Sequence, residues 1–356
     1  MKNYFQGLSR LLFPALILFL GGCGQEAEQK LQSVDTAMGT VVQQTIFANG
    51  KGTQTEDILT LIRELEEETL SWRLETAELY RVNLYAGSGE GVELSEELSG
   101  ILEQCLELTE NSDGAFDVAL GPVARLWDID SWAAGGRSGS FRVPEAKALE
   151  QALAQCGSER IALQVLPGEK CAILSLEEGA AMDLGAVGKG FALDEIFRYL
   201  EKDDRVTGAV VSVGGSVLTY GVKPDGTAWR VGIADPRDPT VNMGVLELTG
   251  QWYISTSGDY ERYVEFGGVR YHHILDPSTG YPADSGLSSV TVLAKNGLLS
   301  DGLSTACFVL GRERGMELAW QYDAEALFVE KDGGIYMTPG METLFQPRNG
   351  TDIHRE

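Results

Sequence analysis

Histidine is scarce: there are three in 356 residues. His354 lies in a polar tail, so any imidazole chemistry has to come from the adjacent pair His272-His273. A zinc site is disfavoured, because the chain has no H-E-x-x-H, no C-x-x-C and no third suitable histidine. Positive charge is scarce too. Lys+Arg number 28 against 53 Asp+Glu, a formal net charge of -25, which repels phosphate backbones and argues against a nucleic-acid binder or a protein that adheres to anionic membrane surfaces. An anionic ligand would therefore need local help from a metal, a lysine or backbone N–H groups. The one long apolar run is too short to span a bilayer comfortably, and there is no fixed-period repeat. Neither a P-loop nor a G-x-G-x-x-G is present.

What is present is an ordinary globular composition with 43 % hydrophobic and 23 % charged residues, enough to bury a large core. Glycine is abundant at 43 residues, about 12 % against a usual 7 %, which signals many tight turns and close backbone approaches. Residues 1–22 combine Lys2 and Arg10 with the apolar run Leu11 to Leu20, and read as a signal segment. The ending Leu20-Gly21-Gly22-Cys23 resembles a bacterial lipobox, with Cys23 lipidated after cleavage; a plain secretory signal cut nearby is the alternative. Residues 23–32 then form a polar tether, 33–347 the folded domain and 348–356 a polar tail. Cys105, Cys156, Cys171 and Cys307 are read as small core residues.

Apolar spacing predicts an amphipathic helix along TEDILTLIRELEEETLSW from Thr55, a second after Ser95, a third with Pro144 at its first position, and a fourth through Phe191 to Lys202. The second half changes to β-branched runs, among them 209–213, 229–233 and 289–293. Arg262 to Phe266 and Val269 to Ile274, joined by Gly267-Gly268, predict a hairpin. Helices and strands mix without a βαβ rhythm, so the expected class is α+β.

Three segments carry candidate chemistry. Neighbours in a strand point to opposite faces, so one of His272 and His273 can line a site while the other packs; two structural histidines is the alternative. Asp183-Leu184-Gly185-Ala186-Val187-Gly188-Lys189-Gly190 is a glycine-spaced turn entering a helix, which aims N–H groups and a lysine at an anion, or is only a structural turn. Asp301 and Thr305 share one helix face and offer hard oxygens to a cation such as Mg²⁺, unless Asp301 is simply a helix cap.

In register, these pieces resemble the ApbE family of flavin transferases (FAD:protein FMN transferases), from about Met38 to Phe345. The matching segments include Met38-Gly39-Thr40, Ser71-Trp72 through Arg81-Val82-Asn83, Gly114-Ala115-Phe116-Asp117, Asp183-Leu184-Gly185-Ala186 with Lys189-Gly190, Val213-Gly214-Gly215, Ser255-Thr256-Ser257-Gly258-Asp259-Tyr260, His273-Ile274, and Asp301 with Thr305. The chain departs from the family pattern at Trp72, where many members have tyrosine, and at Ala77-Glu78, where Ser-Glu is usual.

The resemblance implies a two-subdomain fold of mixed and antiparallel sheets, with the site between subdomains that divide near residues 200–210. It implies a Mg²⁺-dependent reaction that splits FAD at its pyrophosphate, joins FMN through a phosphoester to a Ser or Thr hydroxyl of an exported acceptor protein, and releases AMP. It places Mg²⁺ on Asp301, Thr305 and the carbonyl of Ala186, and the flavin nucleotide against Met38, Trp72, Ala115, Phe116, Asp117, Asp183, Lys189 and Ile274. His273 would be the general base. Membrane contact would be through the lipid anchor alone. Two rivals remain at this level: an FAD pyrophosphatase with water as acceptor, and a lipid-anchored flavin-binding protein without turnover.

Overall fold

The computed structural model describes residues 27–137, 139–165 and 171–348. The signal segment, Cys23 and His354 lie outside them. The frame is an eight-stranded sheet in the order Glu28–Ala37, Thr40–Asn49, Val206–Val213, Ser216–Gly221, Trp252–Gly258, Leu287–Ala294, Glu325–Glu330 and Ile335–Met337. Every neighbouring pair in it is antiparallel.

Apolar residues lie on both faces of its strands because both faces are covered. Ala209, Val211 and Val213 join a cluster with Ile58, Ile62, Leu193 and Ile196 from the helices Gln54–Glu64 and Gly188–Lys202, while Val210 between them packs on the opposite face. Val290, Val292, Ala326 and Phe328 likewise meet Leu303 and Phe308 of the helix Gly297–Leu310. Leu293, Leu327 and Val329 point the other way, onto Trp229, Leu246 and Phe345. Those last three residues belong to a three-stranded sheet of Trp229–Asp235, Asp238–Leu248 and Phe345–Pro347.

An α-rich part is inserted between the strands Thr40–Asn49 and Val206–Val213. It holds the helices Glu78–Leu84, Glu96–Asn111 and Gly121–Trp127 and a small sheet of Val92–Glu93, Ala172–Leu176 and Ile161–Val165. The α+β class is as expected.

Three sequence expectations need correction. The tether does not reach Gln32, because strand Glu28–Ala37 already pairs from Glu28 with Asn49, and that ladder overrides the polar composition. Pro144 precedes its helix, which runs Ala146–Leu153 after Glu145. The helix from Gln54 changes at Leu65 into a π turn, Leu65–Leu70, closed by Ser71 N–H donating to the Glu66 carbonyl at 3.2 Å. A π turn inside a helix re-aims the residues that follow it, and here those are Ser71 and Trp72.

Candidate active site

Two helices meet behind the site at a pair of glycines. A Cβ on Gly190 would lie 2.0 Å from the Gly297 carbonyl oxygen, and one on Gly297 would lie 2.0 Å from that of Gly190. Gly190 of the lysine turn thus serves close helix contact. The close crossing brings Asp301 of one helix to the start of the other, where its Oδ2 accepts the Gly190 N–H at 2.9 Å. Asp301 is 3 % exposed. It also accepts the Ser216 hydroxyl at 3.3 Å and faces Lys189 Nζ at 3.5 Å. Asp301 is therefore not the cap of its own helix, a part taken by Asn296, whose side chain accepts the Leu299 N–H.

One turn on, the Thr305 hydroxyl donates to the Asp301 carbonyl at 3.4 Å and lies 3.3 Å from the Ser257 hydroxyl. Both contacts are long, leaving its lone pairs available. Helix and strand are buttoned together beneath it by Ser255 to Ser300 and Ser257 to Ser304, each at 2.8 Å.

The loop entering the other helix is pinned at its far end. Asn83 donates to the Met182 carbonyl at 2.9 Å and accepts the Met182 N–H at 2.7 Å, as a paired strand would. Asp183 follows, its Oδ1 accepting the Gly185 N–H at 2.8 Å. Burial raises the Asp183 pKa, and the Gly185 amide opposes the rise.

His272 and His273 part to opposite sides, as strand geometry requires. The hairpin Tyr263–Phe266 and Val269–His272 turns through Gly267 (φ 61°) and Gly268 (φ 79°), a type I′ signature. His272 is buried, its Nε2 donating to the Ala283 carbonyl at 3.1 Å. The His273 N–H and Nδ1 both reach the Arg262 carbonyl, at 3.1 and 3.3 Å. A carbonyl only accepts, so Nδ1 carries the proton and Nε2 is left as the basic nitrogen. Burial, then the nearby Arg262 and Lys189 cations, hold the His273 pKa well below its ordinary value. These surroundings favour the neutral imidazole.

The remaining wall is aromatic and cationic. Trp72 is half-buried, with the Arg73 guanidinium 4.0 Å and that of Arg125 4.8 Å from its ring centroid. Met38 sits at φ 50° in the two-residue turn joining the first two strands, a conformation unusual for a side-chain-bearing residue. Its N–H is held by Glu66 Oε2 at 2.9 Å.

Twelve of the residues singled out in the sequence line one cleft of about 250 Å³: Met38, Trp72, Ala115, Phe116, Asp117, Asp183, Ala186, Lys189, His273, Ile274, Asp301 and Thr305. Asp117 has both carboxylate oxygens engaged by backbone amides, Ala119 N–H at 2.7 Å and Ser158 N–H at 3.0 Å, so it fastens the cleft wall as well as lining it. Cys23 lies outside the described residues. Sequence reasoning missed Glu66, Arg73, Arg262, Ser257 and Glu261, which also line the cleft. Glu66 sits in the π turn, which no periodicity announces. Arg262 contributes its carbonyl, an atom that every residue has.

A sequence profile of the ApbE family matches residues 38–328. The FAD:protein FMN transferase of Treponema pallidum is 32% identical over 338 residues, covering 90% of this chain and 91% of that protein. That of Vibrio cholerae is 32% identical over 336 residues, covering 93% and 94%. Among solved structures, the ApbE protein from Thermotoga maritima superposes with a TM-score of 0.77 at 31% identity, over 89% of this chain and 99% of that one. The flavin transferase ApbE from Vibrio cholerae superposes with 0.76 at 28%, over 89% and 100%. With the profile match spanning most of the chain and the likeness holding in sequence and fold alike, this chain belongs to the ApbE family.

Proposed function

We propose that this chain is a Mg²⁺-dependent FAD:protein FMN transferase, exported and lipid-anchored through Cys23, that modifies a Ser or Thr hydroxyl of an acceptor flavoprotein. The observation that carries the reading is the convergence, on one cleft, of a neutral histidine held by a carbonyl, a buried aspartate beside a lysine, and an indole wall. The relatives' names say that they are enzymes of this kind.

The donor set fits Mg²⁺. Asp301 is a buried carboxylate from which Lys189 Nζ stands off at 3.5 Å. Thr305 has a hydroxyl with long contacts, and the Ala186 segment lines the same cleft. All offer hard oxygen and none is sulfur or imidazole. Bound there beside Lys189, the ion would neutralise pyrophosphate charge and orient it.

The chain's own residues supply the rest. His273 Nε2 takes the proton of the acceptor hydroxyl as that oxygen bonds to the phosphorus of the FMN half. The bridging P–O bond breaks, and AMP departs with the bonding pair. The incoming pyrophosphate offsets the Lys189 and Arg262 charges that weaken His273 as a base, raising its basicity when substrate is in place. Trp72 offers an aromatic surface to the flavin ring.

The test is incubation of the purified protein with FAD, Mg²⁺ and an exported flavoprotein domain, read by intact mass and nucleotide chromatography. A mass gain of one FMN on the acceptor with release of AMP is expected. Free FMN and AMP with an unmodified acceptor would make the protein a pyrophosphatase, and bound FAD without turnover would make it a carrier.

A further inference from the structure

The two helices behind the cleft follow one pattern. Each carries a glycine near its start and an aspartate four residues on: Gly190 and Asp194 in one, Gly297 and Asp301 in the other. The glycines make the contact, and the aspartates are exchanged across it. Asp301 accepts the Gly190 N–H at 2.9 Å, while Asp194 accepts the Gly297 N–H at 2.7 Å and the Leu298 N–H at 2.9 Å. First-turn amides of each helix are thus satisfied by the partner helix's carboxylate. Asp301 faces the cleft, but Asp194 is buried away from it and takes no part in the chemistry described above.

The cation donors come from both sides of this crossing. Ala186 lies just before one helix, and Asp301 and Thr305 lie on the other. The serine buttons fix the Gly297–Leu310 helix to the strand beneath it, and not to the other helix. The Gly297 and Leu298 amides lie about one turn before Asp301, so a grip on them sets where Asp301 stands relative to the Ala186 loop.

We propose that Asp194 is a positioning residue for the cation site, tying the two helices so that the Asp301–Thr305 face and the Ala186 loop are held at binding distance. The proposal rests on the Mg²⁺ reading above. Groups that orient metal ligands typically account for 10–100-fold in affinity.

The experiment measures Mn²⁺ binding to the substrate-free protein by the electron paramagnetic resonance of free Mn²⁺. Wild type is compared with Asp194→Asn, Asp301→Ala and Asn296→Ala, and thermal unfolding is followed in parallel. Asp194→Asn keeps the shape but replaces one amide acceptor with a donor, and is expected to weaken binding about 10–100-fold. Asn296→Ala frays the same helix end without touching the tie between helices, and is expected to stay within about threefold of wild type. Asp194→Asn within about threefold, or Asn296→Ala losing as much as Asp194→Asn, overturns the proposal. If wild type binds no Mn²⁺, or Asp301→Ala binds as well as wild type, the metal reading itself fails. Should Asp194→Asn not fold, hydrogen exchange in wild type decides: coupling is reciprocal, so adding Mg²⁺ must slow exchange at the Gly297 and Leu298 amides. Unchanged exchange there also overturns it.

Discussion

The two sides of the cleft are built differently. On the helix-pair side, Asp301, Thr305 and Ser257 sit in one hydrogen-bonded network over a buried core, and two glycines permit a crossing that no larger residue could. On the opposite side, Trp72, Arg73 and Arg125 are stacked on one another at a half-open surface, and Arg73 meets Asp128 and Asp130 only at 3.9 and 3.7 Å. On the proposed function, phosphoryl transfer takes place at the first side and is governed by placement of charge, which asks for rigidity. The second side would then hold the flavin ring, which asks only for a flat apolar surface. Changes on the first side should therefore remove turnover, and changes on the second should only weaken binding.

The largest effect belongs to Asp301→Ala. Turnover should fall to background and lose its Mg²⁺ dependence; full activity in a nucleotide-release assay would remove Asp301 from the metal site and erase the contrast. His273→Ala comes next, with transfer slowed by about 10²–10⁴-fold. FAD binding, measured by fluorescence quenching, should change little. Equal loss of binding and rate would make His273 a packing residue of the second side.

The neighbouring histidine sharpens the comparison from within the core. Burial, outweighing its hydrogen bond to Ala283, pushes the His272 pKa down to about 4. An unfolded histidine titrates near 6.5, so between 6.5 and about 4 the unfolded chain takes up a proton that the folded site refuses. Its contribution is therefore lost as pH falls through that window, amounting to roughly 3 kcal/mol at most. Urea unfolding of wild type and His272→Gln should show a stability gap that narrows from pH 7 to pH 4. A constant gap would mean that His272 does not titrate in the protein.

Much of this was legible in local sequence. The opposed histidines followed from strand geometry, and Ser95 caps its helix as read, its hydroxyl accepting the Leu98 N–H at 3.1 Å. The helix Gly188–Lys202 ends where the spacing placed it. What escaped depends on partners far along the chain. Nothing local marks Asp194, because its two amides arrive from residues about a hundred positions away. Residues 28–32 looked like part of a tether, because only their pairing with Thr45–Asn49 makes them strand. Pairing of the Thr40–Asn49 and Val206–Val213 strands is likewise invisible to any window of sequence.

The smallest expected effect tests the second side. Trp72→Ala removes one face of contact for the flavin ring, and aromatic stacking is worth about 0.5–1.5 kcal/mol beyond buried area. FAD affinity should fall by roughly tenfold, and Trp72→Phe should recover part of it. The Arg73 and Arg125 guanidinium groups lie over that indole, so both lose a partner and are free to close over the bound nucleotide, which limits the loss. With FAD saturating, kcat should stay near that of wild type while KM rises. A kcat that collapsed as it does for Asp301→Ala would show that Trp72 positions the reacting phosphate, and both walls would then belong to one rigid site.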